Sequence, residues 1–221
     1  MKIINKKSEK SLIDEFISNF KKDYFKNKKQ KKRFSLVLTG GESPRKLYRK
    51  LAKINIDWNY IDLFWGDERY VSHLSKNSNY NLAFKEFIKE IKINKKNIYP
   101  IKTNRPISKC SDDYTKTIKK YFKNKKIIFD YCLLGMGDDG HIASLFPNSK
   151  HLNAKFITKP VIRKDFKRIT IGLNVINNSK KILLWLNSKS ISNIYTNIEK
   201  EGKKLPVNNL NKKNIVIYKI H

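Results

Sequence analysis

The spacing of apolar positions changes several times along the chain, and each change marks an element. Leu12, Ile13, Phe16, Ile17, Phe20 and Tyr24 recur at helical spacing, which predicts an amphipathic helix followed by a lysine-rich connector. Phe34-Ser-Leu-Val-Leu-Thr39 is an apolar run of strand length that ends in Gly40-Gly41. Ser43 as N-cap and Pro44 at the first helical position predict that a helix opens after this turn. A second strand, Ile61-Asp-Leu-Phe-Trp65, leads into a polar loop and a helix with Phe84, Phe87, Ile88 and Ile91 on one face. Another amphipathic stretch, with Tyr114, Ile118, Tyr121 and Phe122 inward, precedes the strand Phe129-Asp-Tyr-Cys-Leu-Leu134, which runs into Gly135-Met-Gly-Asp-Asp-Gly140. Strands follow around residues 156–161, 169–173, 182–186 and 215–218, and Ile191, Ile194, Tyr195 and Ile198 mark a helix between the last two.

Strands alternating with helices predict an α/β fold: a single domain over residues 1–221, built on a mostly parallel open sheet flanked by helices in the Rossmann-like manner. With 39% apolar and 12% aromatic residues, 221 positions can bury a continuous core. Ligands of such sheets bind beyond the carboxyl ends of the strands, so the polar residues that follow each strand are the ones to examine. No window approaches the ~18 uninterrupted apolar residues of a membrane span, and residues 1–10 lack the apolar stretch of a secretion signal. A cytoplasmic protein with no membrane partner is therefore expected. Cys110 and Cys132 are too few for a disulfide scaffold and are expected to be reduced, Cys132 in a buried strand.

Charge complicates this picture. Lys and Arg number 49 against 19 Asp and Glu, a net charge of +30, which by itself suggests a polyanion such as RNA or DNA. The lysines are spread over nearly every segment, however, and no stripe of aromatics interleaved with arginine accompanies them. They read as solvated surface rather than specific nucleic-acid readout, and their field would also draw in a phosphorylated small molecule.

Three segments carry candidate chemistry. Thr39-Gly-Gly-Glu-Ser-Pro44 places Gly40, Gly41 and Ser43 where a strand turns into a helix, a corner whose N–H groups suit phosphate, although any tight connection also wants glycine. Trp65-Gly-Asp-Glu-Arg69 ends the second strand with two carboxylates and an arginine, either a bidentate phosphate grip through Arg69 or ordinary loop ion pairs. Gly135-Met-Gly-Asp-Asp-Gly-His141 presents Asp139 and His141 at the mouth of the third strand, and histidine is the side chain best matched to proton transfer near neutral pH. The glycines do not fit a dinucleotide fingerprint, which requires the first strand and an acidic residue about 20 positions on. Asp138, Asp139 and His141 leave a metal reading open, but no HExxH, paired histidines or CxxC support it. Ser144 lies in Ala143-Ser-Leu145, outside the G-x-S-x-G elbow of a serine nucleophile.

In their order and spacing these segments resemble the 6-phosphogluconolactonase family, within the glucosamine-6-phosphate isomerase/6-phosphogluconolactonase superfamily. The resemblance rests on Gly40-Gly-Glu-Ser-Pro44, Trp65-Gly-Asp-Glu-Arg69, Ser78-Asn-Tyr80, Gly135-Met-Gly-Asp-Asp-Gly-His-Ile-Ala-Ser-Leu-Phe-Pro147 and Arg168-Ile-Thr170, and covers most of residues 34–186. Glucosamine-6-phosphate deaminases resemble the chain in the glycine turn and in Asp-Gly-His, but carry tyrosine where Arg69 stands and diverge after Ala143. The resemblance implies the deaminase and ribose-5-phosphate isomerase type of fold and hydrolysis of a phosphosugar lactone, without metal or organic cofactor because a lactone is already a reactive ester. It implies His141 as general acid/base oriented by Asp139, with Gly40, Gly41, Ser43, Arg69 and Arg168 around the phosphate. Gly137 and Gly140 would shape the turn and contribute to the oxyanion site, in a monomer or small homo-oligomer. Two departures bear on the phosphate: Glu42 stands at a turn position usually small and uncharged, and Lys189 and Ser192 stand where the family shows a glycine followed by a lysine.

Overall fold

The computed structural model describes residues 1–149, 151–152, 154–200 and 205–221. Seven strands form one sheet in which every pairing is parallel: β1 (Lys2–Lys6), β2 (Phe34–Leu38), β3 (Ile61–Trp65), β5 (Ile98–Tyr99), β6 (Tyr131–Leu134), β9 (Lys181–Leu186) and β10 (Ile215–Ile220). Their order is β1-β10-β9-β6-β2-β3-β5. The chain moves outward from β2 through β3 to β5, then crosses back to β6 on the other side of β2. The carboxyl ends of β2 and β6 therefore flank the reversal of strand order, where sheets of this kind bind ligands. β2, β3 and β6 are buried along their whole length, as strands covered on both faces must be.

Helix α1 (Glu9–Lys29) lies on one face, capped by Ser8, whose hydroxyl accepts from Ser11 N–H at 3.2 Å. It buries Leu12, Ile13, Phe16, Phe20 and Tyr24, and Phe16 and Phe20 meet the rings of Trp185, Tyr218 and Phe34. Helices α2 (Arg45–Leu51), α3 (Asn79–Glu86), α4 (Ile107–Tyr121), α5 (Leu173–Asn177) and α6 (Lys189–Lys200) complete the helical layer. Both cysteines are free and buried, Cys132 within β6. Among the described residues no helix is long and apolar enough to cross a membrane.

Several features depart from the sequence expectation, among them β5 and α5, which have no predicted counterpart. A three-stranded second sheet, β4-β8-β7, is built from β4 (Asp67–Arg69), β7 (Thr158–Ile162) and β8 (Lys167–Ile171) in antiparallel pairings, so Asp67-Glu68-Arg69 is strand, not loop. β1 has no counterpart in the predicted elements because as an edge strand it buries only Ile4, leaving no apolar run to detect. Ser43 is not the N-cap of α2: the cap position is Pro44 in helical conformation, and no side chain caps it. Gly41 at φ +79° and a turn closed by Arg45 N–H on the Glu42 carbonyl (3.2 Å) delay the helix to Arg45. The predicted helical face through Phe84 and Ile91 is broken at Phe87, where φ −145° and ψ −60° end α3 and leave residues 88–90 as a 3-10 turn.

Candidate active site

Two tyrosine hydroxyls set the ends of the strands from which the site is built. Tyr48 of α2 accepts from Thr39 N–H at 3.0 Å and donates to the Thr39 carbonyl at 2.5 Å, just past β2. Tyr114 of α4 does the same to Trp65 at the end of β3, at 2.9 Å in each direction. Burial pushes both phenols far up, so they stay neutral and able to donate and accept at once. Nothing in the periodicity distinguished these hydroxyls from the core rings around them.

A cavity of about 210 Å³ opens beyond these strand ends, lined among others by Gly40, Gly41, Ser43, Asp67, Arg69, Asn79, Gly137, His141 and Arg168. The predicted site residues thus converge, with the exception of Asp139 and Gly140, which do not line it. His141 Nδ1 lies 2.6 Å from Asp139 Oδ1, and the same oxygen accepts His141 N–H at 3.1 Å. Burial pushes the Asp139 carboxyl up, but the bonds from the His141 ring and backbone outweigh it and hold the group below its ordinary value. An ionised carboxylate only accepts, so Nδ1 carries the proton, and in the neutral ring the lone pair is on Nε2. Gly137 makes room for the ring: a Cβ there would stand 2.1 Å from His141 Cε1.

The N–H groups of Gly137 and Gly140 are engaged inside the loop, on the carbonyls of His141 and Gly137 at 2.9 Å each. Both glycines shape the turn, Gly140 at φ +79°. Ala143 takes a left-handed φ of +48°, which aims Ser144 back into the fold. Ser144 is buried and donates to Asp67 Oδ2 at 2.6 Å, while its N–H reaches Thr170 Oγ1 at 3.2 Å. It ties the His141 loop to β4 and β8.

Antiparallel register places Arg69 of β4 directly opposite Arg168 of β8. Like charges face to face across two strands are destabilising unless an anion joins them. Arg69 has Nη1 on the Asn77 carbonyl at 2.9 Å and Arg168 has Nη2 on Asp165, yet the Nε of each is buried with no partner. Asn79, which no motif reading singled out beyond Ser78-Asn-Tyr80, lines the same cavity with its Oδ1 likewise buried and unpartnered. Behind Arg69, Glu68 accepts from Arg69, Asn79 and Tyr80 N–H at 2.8 Å and from Ser78 Oγ at 3.0 Å, fixing α3 to β4.

Glu42 stands at the cavity mouth, but both its oxygens take Arg45, at 2.8 Å to Nε and Nη2, and the guanidinium holds its carboxyl below the ordinary value. Lys189 is exposed at the start of α6 and Ser192 is buried against the Leu186 carbonyl, and neither lines the cavity. Among the described residues no three His, Cys, Asp or Glu side chains are grouped as a metal-ligand set.

The chain matches the family model for glucosamine-6-phosphate isomerases/6-phosphogluconolactonase over residues 7–218. It is 30% identical to the 6-phosphogluconolactonase of Thermotoga maritima over 195 residues, 87% of each chain. It is 35% identical to that of a Nostoc species over 161 residues, 70% of this chain and 67% of the relative. The crystal structure of 6-phosphogluconolactonase from Thermotoga maritima superposes with a TM-score of 0.88 at 27% identity, covering 99% of this chain and 98% of the other. A monomeric glucosamine-6-phosphate deaminase shares the fold, with a TM-score of 0.83 at 18% identity. With the site residues converging at the switch point of the sheet, the chain belongs to the glucosamine-6-phosphate isomerase/6-phosphogluconolactonase family.

Proposed function

We propose that the chain, acting as one cytoplasmic domain, hydrolyses 6-phospho-D-glucono-1,5-lactone to 6-phospho-D-gluconate, the second step of the oxidative pentose phosphate pathway. The observation that carries this reading is the pair Arg69 and Arg168, opposed across β4 and β8 with unpartnered Nε groups, in one cavity with a histidine whose Nδ1 is anchored on Asp139. Two guanidiniums without a joining anion ask for a dianion such as a phosphate monoester. A histidine with a free Nε2 lone pair asks for a proton to move.

In the reaction, His141 Nε2 takes a proton from water as its oxygen adds to the lactone carbonyl. The tetrahedral intermediate then expels the ring oxygen, which receives that proton from the imidazolium, and the sugar acid remains as product. Asp139 fixes the tautomer and stabilises the imidazolium. The arginine pair grips the phosphate dianion, and Gly40, Gly41 and Ser43 crowd it into place. The relatives named as lactonases support this chemistry over deamination of an aminosugar phosphate, as does arginine rather than tyrosine at position 69.

The test uses lactone generated freshly, with spontaneous hydrolysis subtracted. Acceleration by the wild-type chain and a fall in kcat of about 10²–10⁴ in His141→Ala are expected. Ammonia release from glucosamine 6-phosphate with no lactone hydrolysis would overturn the assignment.

A further inference from the structure

The imidazole of His141 is held on more sides than Asp139 accounts for. One face lies on Gly137, and on another side stands the Phe146 ring, with centroids 4.5 Å apart and planes tilted by 34°. Phe146 is itself covered: the guanidinium carbon of Arg163 sits 3.9 Å from its centroid, in stacking range, whereas that of Arg168 is at 5.6 Å. Arg163 belongs to the turn between β7 and β8. Its Nε lies 3.5 Å from Asp165 Oδ1, and the other oxygen of Asp165 holds Arg168. Phe146 is buried, Arg163 is half-exposed, and neither lines the cavity.

We infer that Arg163 is a positioning residue for the reaction, pressing Phe146 onto the His141 imidazole and so fixing the direction of Nε2. The inference rests on the lactonase reading. Orientation of a base counts in the transition state more than in substrate binding, so the effect belongs in kcat and not in KM. Asp165 keeps the guanidinium over the ring and joins this turn to Arg168, which places both ends of the site under the same hairpin.

Arg163→Ala is expected to lower kcat by about two- to fivefold, the factor of one cation-ring contact at a half-exposed site, with KM and thermal midpoint unchanged. Arg163→Lys, which keeps the charge but not the plane, should recover part of the loss. In a double-mutant cycle with Phe146→Leu, the Arg163→Ala effect should vanish, because it acts through that ring. Unchanged kcat in Arg163→Ala, a rise in KM alone, or full additivity with Phe146→Leu would overturn the inference. The His141 ring-proton NMR signals should also shift in Arg163→Ala, through the altered ring current of Phe146. A wild-type chain without lactonase activity would sink the functional reading alone, while unmoved ring signals would sink the stack.

Discussion

At Asp139, desolvation and hydrogen bonding pull the carboxyl in opposite directions, and the bonds from His141 win. Its depressed value means that the contribution of the ionised pair is complete above the unfolded value of about 3.9 and is lost only as pH falls below it. Activity changes between pH 5 and 8 therefore do not come from Asp139. Asp139→Asn keeps the shape but removes the charge that selects the Nδ1–H tautomer, so kcat should fall by about 10²-fold with KM little changed; an unaltered kcat would remove the tautomer argument. The same residue-level accounting separates two side chains at the phosphate end. Arg168→Ala should raise KM several-fold with kcat nearly retained, since a uniform phosphate grip acts in ground and transition states alike. Glu42→Ala should leave KM unchanged, because Arg45 already turns that carboxylate aside. From sequence, Glu42 reads as a negative charge beside an anion site. Arg45, three residues on, resolves it, but only once the delayed start of α2 brings the two together.

The elements that the sequence made legible are those with continuous apolar runs or a clean 3.6-residue period: β2, β3, β6, β9 and the helices α1, α4 and α6. β4 was hidden because its three residues are polar, and it exists through its partner: Asp67 opposes Thr170 and Arg69 opposes Arg168. Two motifs far apart in sequence are thus one structural unit, which no local pattern reveals. The joint between β4 and α3 makes a sharp prediction. Glu68 is the acceptor for three backbone N–H groups and the Ser78 hydroxyl, so Glu68→Ala should destabilise the fold by about 2–4 kcal/mol in urea titrations at pH 5. Burial pushes the Glu68 carboxyl up to about 7 against those bonds. A raised carboxyl stabilises fully below its unfolded value of about 4.3 and loses that contribution as pH rises through about 7. Wild-type stability should therefore decline from pH 5 to pH 8 more than that of Glu68→Ala, narrowing the gap between them; a gap that widens would show that the four bonds dominate burial.

Over the whole molecule, the acidic side chains are few and many are already paired: Asp62 with Arg33, Asp130 with Lys180, and Glu86 with Arg45 and Arg49. What remains of the +30 charge comes from lysines spread over nearly every segment of the sequence. Their field has two consequences that salt separates. On the proposed function it should concentrate a phosphorylated substrate at the Arg69 and Arg168 pair, and it should give only loose, sequence-independent adhesion to nucleic acid. Raising ionic strength from about 0.01 M to about 0.1 M shortens the screening length from about 30 Å to about 10 Å, so long-range attraction fades while chemistry inside the cavity is little screened. With the phosphorylated lactone, kcat/KM should fall several-fold over this range and kcat should hold. The unphosphorylated lactone, lacking the dianion, should show no comparable salt dependence. DNA should compete at the low end and cease to compete at the high end, equally for any sequence. If competition instead persists at high salt and depends on sequence, the surface charge is organised for nucleic acid; if kcat/KM is flat for both lactones, the contacts in the cavity act without help from the surrounding field.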